Sequence, residues 1–261
     1  MTCGFSSPPK YIPQNLYHDF TMGSQIPVKY EYYDNAYLSN KPLVYTTKMV
    51  DDFIDGISTR SIKNYGYGTD EFLYDAIEKN IAHIEGKKVA IMGSTSPFYE
   101  CVVLYYGGTP VTIDYNKIES LDKRIHTMTV QELQQNPIQF DAVISISSFE
   151  HDGLGRYGDP INPKGDLEAM ASTLKLLKEG GVLFLAVPIG PDSLLWNGCR
   201  IYGELRLPLL LKGWEILDSF GFSVHDFNRE KFAWHHQPVF LVTPCADLSK
   251  KHYYINDEGV I

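Results

Sequence analysis

Between Phe140 and Gly190 the chain reads FDAVISISSFEH, a Gly/Pro-rich stretch, and then GDLEAMASTLKLLKEGGVLFLAVPIG. The pattern predicts a strand from Phe140 to Ser147, a loop, an amphipathic helix from Asp166 to Lys178, a Gly180-Gly181 turn and a strand from Val182 to Pro188. Both strands are too apolar to face water on either side, so they belong in the middle of a parallel sheet covered by helices on both faces. Ligands of such sheets bind beyond the carboxyl ends of the strands. Function is therefore expected at the loop that begins at Ser147.

The alternation continues upstream. Thr47 to Ile57 reads as a short helix with Met49, Val50, Phe53 and Ile54 inward. Thr69 or Asp70 can cap a helix whose apolar positions are Phe72, Leu73, Ile77, Ile81 and Ile84. A strand from Val89 to Met92, a turn at Gly93 to Pro97, a helix from Phe98 to Tyr106 and a strand from Pro110 to Asp114 follow, then a weaker helix–strand–helix passage from Ile118 to Gln135. Downstream, Tyr202 to Phe220 reads as a long helix, and Ser223–Asn228 and Pro238–Val242 as strands. Strands alternating with helices imply an α/β, doubly wound, mostly parallel sheet. The expected organisation is a Tyr-rich N-terminal extension over 1–68, the sheet domain over 69–244 and a tail over 245–261. Tyr30, Tyr32, Tyr33 and Tyr37 of the extension can pack it onto the body or cover a cleft.

Composition narrows the function classes. A net charge of -9 without a Lys/Arg run gives nucleic acid no electrostatic help, so no nucleic-acid partner is expected. Cys3, Cys101, Cys199 and Cys245 show no CxxC pairing, which argues against a zinc site or disulfide scaffold and fits a reducing compartment. No apolar run approaches the ~20 residues that span a bilayer. With no recognisable signal peptide, a cytoplasmic protein is expected, any targeting segment belonging to a longer natural form. GxSxG and P-loop motifs are absent. The adjacent His235 and His236 lack a spaced third ligand, so packing is expected of them, and no metal.

The order of elements resembles the class I S-adenosylmethionine-dependent methyltransferases, a Rossmann-like family with a seven-stranded sheet. FDAVISISSFEH is similar to that family's fourth strand with its hydrophobic-Glu-His ending, and LKEGGVLFLAVPIG to the segment entering its fifth strand. RIYGELRLPLLLKGWEILDSFGF resembles its next helix, leading through a Gly-Phe turn into the sixth strand. The Tyr-rich front end resembles a nematode-described family of unknown function within this fold. The resemblance implies an S-adenosylmethionine cofactor and a small-molecule or peptide acceptor. A non-catalytic binding module of the same fold and a nicotinamide-dependent oxidoreductase stay open as alternatives.

The family's first turn departs from its usual form. VAIMGSTSPFYE keeps Gly93, but Ile91 stands where an acidic residue is usual, and Thr95 and Pro97 where later glycines are usual. Ser94, Thr95 and Ser96 can hydrogen-bond a ligand carboxylate or merely cap the next helix. Asp114 ends the second strand about twenty residues on, where a carboxylate accepts from a ribose diol. Gly93, Ser94, Thr95, Asp114, Ser147 and Ser148 are thus the cofactor-binding candidates. His151, with Glu150 or Asp152 orienting it or binding substrate, is the candidate base, or else a structural group near the cofactor. In the long loop GLGRYGDPINPKGD, Arg156, Tyr157 and Asp159 are the substrate-binding candidates. Trp196, Arg200 and Tyr202 are further candidates for the acceptor side.

Overall fold

The computed structural model describes residues 7–35 and 42–245. In chain order its main elements are α1 (Thr47–Ser58), α2 (Thr69–Lys79), β1 (Lys88–Met92), α3 (Phe98–Tyr105), β2 (Thr109–Asp114), β3 (His126–Thr129), α4 (Val130–Gln135), β4 (Phe140–Ile146), α5 (Gly165–Thr173), β5 (Leu177–Ala186), β6 (Trp214–Phe220) and β7 (Val239–Pro244). The strands form one sheet in the order β6-β7-β5-β4-β1-β2-β3. Only β7 runs antiparallel to its neighbours β5 and β6.

Alternate side chains of each strand enter separate cores, as the period of two requires. Val89, Ile91, Ala142, Ile144, Phe184 and Leu241 pack with α1, α2 and α3. Ala90, Val143, Leu183, Leu185, Phe240 and Val242 pack on the opposite face with Leu133, Met170 and Leu210. The Gly-Gly turn becomes a bulge inside β5. Phe140 pairs with Leu177 but Ala142 with Val182, and Gly180 takes a φ of +73°.

The extension is woven into this body. Val28–Tyr30 pairs in parallel with Ser193–Trp196, and Leu43–Tyr45 with Ile118–Ser120. Asn197 receives the Tyr33 N–H on its Oδ1 at 2.9 Å and donates from Nδ2 to the Tyr33 carbonyl at 2.8 Å. The expected packing of tyrosines is partial, because Tyr30, Tyr32 and Tyr33 keep 45%, 44% and 37% of their surface exposed. Tyr37, Cys3 and the tail beyond 245 lie outside the described residues. Cys101 and Cys199 are buried free thiols.

Several expected elements are corrected. The helix read over Tyr202–Phe220 is a short turn at Leu207–Leu210 followed by β6. Of its apolar stripe, Leu210 and Trp214 are buried, while Leu205, Leu209 and Leu217 are exposed. Gly213 and Gly221, both at positive φ, bracket a segment that pairs edge-on with β7 instead. Ser223–Asn228 is no strand. Asp226 Oδ2 accepts the Ser223 N–H and Ser223 Oγ accepts the His225 N–H, a reciprocal cap that winds Val224–Asn228 into a 3₁₀ turn. Ile118 begins a strand where a helix was expected, because its edge is taken by Leu43–Tyr45. Gly68 occupies the cap position of α2, and Asp70 instead accepts the backbone N–H groups of Asn64 and Tyr65, both at 2.7 Å. The α5 helix stops at Thr173, and Met49 faces water.

Candidate active site

The strand order reverses between β1 and β4, which pair from Val89 with Ala142 to Ile91 with Ile144. The loops after these two strands meet there, and glycine is what lets them meet. Gly93 has a φ of +71°, and a Cβ on it would lie 2.6 Å from Ser148 Oγ. The Ser94 N–H donates to Asp114 Oδ2 at 3.1 Å and the Asn116 N–H to Oδ1 at 2.7 Å. Asp114 thereby ties the β1 turn to the end of β2 while each oxygen keeps lone-pair capacity. Burial pushes its carboxyl up, against the pull of the two N–H groups.

A cavity of about 520 Å³ opens beside this knot. It brings together all twelve residues expected to form the site: Gly93, Ser94, Thr95, Asp114, Ser147, Ser148, Glu150, His151, Asp152, Arg156, Tyr157 and Asp159. Phe98 does not fill it but belongs to the core beneath.

After β4 the backbone turns sharply at Ser147, whose φ of +50° is uncommon for a side-chain-bearing residue. The turn sets Ser147 Oγ 2.6 Å from Glu150 Oε1 and 3.2 Å from Gln237 Nε2. The single hydroxyl proton goes to the carboxylate, so the amide must present its Nε2 to that oxygen. Glu150 Oε2 and Gln237 Oε1 are left buried without a hydrogen-bond partner. Glu150 is 0% exposed, and burial raises its carboxyl to about 7. His151 Nδ1 lies 2.6 Å from the Gly198 carbonyl. That contact requires a proton on Nδ1 and leaves Nε2 as a lone pair, 3.6 Å from Glu150 Oε1. Burial, reinforced by Arg156, lowers the imidazole to about 4, so it is neutral at physiological pH. Burial and the nearby Asp159 push Asp152 well above the usual carboxylate range.

The long loop is ordered from inside. Asp159 Oδ2 accepts the N–H groups of Gly153 at 2.7 Å and Gly155 at 3.0 Å, and Oδ1 that of Tyr157 at 3.3 Å, so its carboxylate is engaged in holding the loop. From below, Arg200 donates to the carbonyls of Glu150 and Asp152, and Arg206 to that of Pro163. Trp196, Arg200 and Tyr202 are buried at 0–3% exposure and do not line the cavity, so the expected acceptor-side role is corrected. Nor do Ser94, Thr95 or Ser96 cap α3: its cap residue is Pro97, and Ser94 Oγ donates to the Ser96 carbonyl at 2.8 Å. His235 packs against Tyr67 with ring centres 5.0 Å apart and a 43° tilt, and His236 lies 3.0 Å from Asp226.

Sequence reasoning offered Tyr33 as a residue that could cover a cleft, but missed the rest of the cavity wall. Tyr33 and Leu43 arrive from the extension, Asn64 and Tyr65 from the turn before α2, and Trp234 and Gln237 from the approach to β7. Only the clustering of aromatic residues hinted at these. Behind the wall, Glu100 of α3 is wholly buried, with Oε1 accepting from Thr112 at 2.7 Å and Oε2 unpartnered. Burial raises it from the ordinary 4.5 to about 7. The folded state therefore holds this proton more tightly, and Glu100 loses stabilising value as pH rises from about 4.5 through 7. Glu100→Gln keeps the Thr112 bond and never ionises. Between pH 4.5 and 8, urea titrations should show the variant gaining about 2–3 kcal/mol on the wild type; a pH-independent difference would refute this.

The family described as "Caenorhabditis protein of unknown function, DUF268" matches residues 86–236. No curated protein matches by sequence. Among solved structures, a 1,6-didemethyltoxoflavin-N1-methyltransferase from Burkholderia thailandensis is similar, with bound 1,6-didemethyltoxoflavin and S-adenosylhomocysteine. It is 16% identical, with 84% of this chain and 93% of that one covered at a TM-score of 0.52. An S-adenosylmethionine-dependent methyltransferase from Clostridium acetobutylicum is 14% identical over 74% of this chain and 97% of its own, at a TM-score of 0.44. The sheet order and the first of these likenesses give the chain the Rossmann-like class I methyltransferase fold. Among the described residues no helix is long and apolar enough to cross a membrane.

Proposed function

This chain belongs to that family of unknown function, and we propose that it is an S-adenosylmethionine-dependent methyltransferase acting on a small-molecule or peptide acceptor. The observation that carries the reading is the open cavity at the strand-order reversal, with Gly93 and Asp114 on one wall and Glu150 and His151 on the other. Its volume suits an adenosine-bearing ligand of drug-like size, and a side chain on Gly93 would collide with Ser148 where the two loops meet beside it. The chain's own residues fit such a ligand.

Asp114 would accept from the ribose hydroxyls. The backbone at Gly93, Ser94 and Thr95 would approach the methionyl end, with Ser147 and Ser148 opposite. The cofactor supplies the electrophilic methyl group, and the protein has to hold a nucleophile in line with it. His151 Nε2 can accept a hydrogen bond from the nucleophile, but its lowered basicity suits it to orientation rather than proton storage. Glu150, near neutrality, is the better resting place for a proton that leaves. Asp152 is the third group on this side.

Isothermal titration of the wild-type protein with S-adenosylhomocysteine tests the reading, with NADH as control. Saturable binding of S-adenosylhomocysteine alone is expected. No binding at millimolar concentration would leave a binding module on a methyltransferase fold, and preference for NADH would favour redox chemistry.

A further inference from the structure

Arg156 is held unusually firmly for a cavity arginine. Its guanidinium lies 4.6 Å from the ring centre of Tyr33 and 5.1 Å from that of Tyr157. Its Nε donates to Asn35 Oδ1 at 3.0 Å, while its carbonyl accepts the Asn35 N–H at 2.8 Å. Two rings thus flank its guanidinium and one side chain takes its Nε edge. The Nη1 and Nη2 groups donate to no described residue, and although Glu150, Asp152 and Asp159 share the cavity, none pairs with this arginine. A planar donor fork, flanked by two rings and hydrogen-bonded to none of its neighbouring carboxylates, is preorganised for an oxyanion from outside the chain. Tyr65, Tyr157 and Trp234 line the same cavity with aromatic surface.

Resting on the methyltransferase reading above, we propose that the acceptor carries an oxyanion, carboxylate or phosphate, attached to a ring or other flat apolar body. The oxyanion is bound by the Nη groups of Arg156. Anchored there, the acceptor's nucleophile is directed toward His151 and Glu150.

The test titrates benzoate, phenyl phosphate and benzamide into protein saturated with S-adenosylhomocysteine, using wild type, Arg156→Met and Arg156→Lys. S-adenosylhomocysteine affinity and the melting temperature are measured for each protein, so failure of the cofactor reading appears separately, as no S-adenosylhomocysteine binding by wild type. At least one oxyanion should bind wild type roughly tenfold or more tightly than Arg156→Met, the scale of a charged hydrogen bond. Arg156→Lys should fall between, and benzamide should not distinguish the three proteins. Preference for benzoate or for phenyl phosphate identifies the oxyanion. Equal binding of benzamide and both oxyanions to wild type would overturn the proposal. So would oxyanion affinity in Arg156→Met or Arg156→Lys within twofold of wild type, or no binding of either oxyanion. Should Arg156→Met lose S-adenosylhomocysteine binding through a loosened extension, Arg156→Lys carries the comparison.

Discussion

Replacing Asp114 with alanine is expected to weaken S-adenosylhomocysteine binding about a hundredfold. Two hydrogen bonds from a ribose diol to a half-buried carboxylate together supply roughly 3 kcal/mol, which is two orders of magnitude in a dissociation constant. Part of the loss is indirect, because Asp114 also receives the Ser94 and Asn116 N–H groups that shape the turn after β1. Asp114→Asn separates the two contributions. It keeps one acceptor for the turn but cannot take both ribose hydroxyls, so an intermediate loss of about tenfold is expected. Titration calorimetry of the three proteins reads this directly. Binding by Asp114→Ala that matches wild type would remove the proposed ribose contact.

The largest stability effect should come from Asp166, at the first turn of α5. Its carboxylate is 0% exposed and takes Arg206 in a two-pronged pair, at 2.6 Å from Nη2 and 2.9 Å from Nε, with Tyr202 donating at 2.9 Å and the Arg200 charge 3.6 Å away. Burial alone would raise this carboxyl, but Arg200 and Arg206 hold it below the usual range. Asp166→Ala leaves two guanidinium groups, 3–5% exposed, without their common counter-charge. Breaking a buried pair from one side costs about 3–5 kcal/mol, or roughly 10 °C in melting temperature at this chain length. Because Arg200 and Arg206 also hold the carbonyls of Asp152, Asn162 and Pro163, the loop above them should loosen as well. Faster amide exchange at 152–165 than in the sheet would register it. A melting temperature within 2–3 °C of wild type, a change of only about 1 kcal/mol, would mean that the arginines find other partners.

The proposed site is a local construction carried by a non-local frame, and that division explains what could be read early. Gly93 and the run from Ser147 to Asp159 follow directly on strands whose apolar pattern is unambiguous, and Asp114 ends another, so their convergence follows from parallel strands ending at one edge. Tyr33, Tyr65, Trp234 and Gln237 reach the same cavity from segments without periodicity, and no spacing rule connects them to it. Arg200 and Tyr202 show the opposite failure. They follow Gly198 and Cys199, which line the cavity, yet their hydrogen bonds run downward into the loop and Asp166.

The misread segments share one physical cause. From Trp214 to Phe220, apolar and aromatic residues recur at spacings that suit a helix as well as a strand, and only the vacant edge of β7 decides between them. Ile118–Ser120 is likewise a strand because another segment, 75 residues upstream, lies alongside it.

Periodicity and turn chemistry, which act over a few residues, were enough to determine the layered α/β body, the chain order of its central strands and the edge where chemistry gathers. Whether Arg156 ends in a salt bridge or between two tyrosine rings, which oxygen of Glu150 stays unpartnered, and how far the imidazole of His151 is depressed were decided by tertiary packing alone. Those outcomes depend on burial and on partners brought from distant parts of the chain, and neither is encoded in the spacing of neighbouring residues.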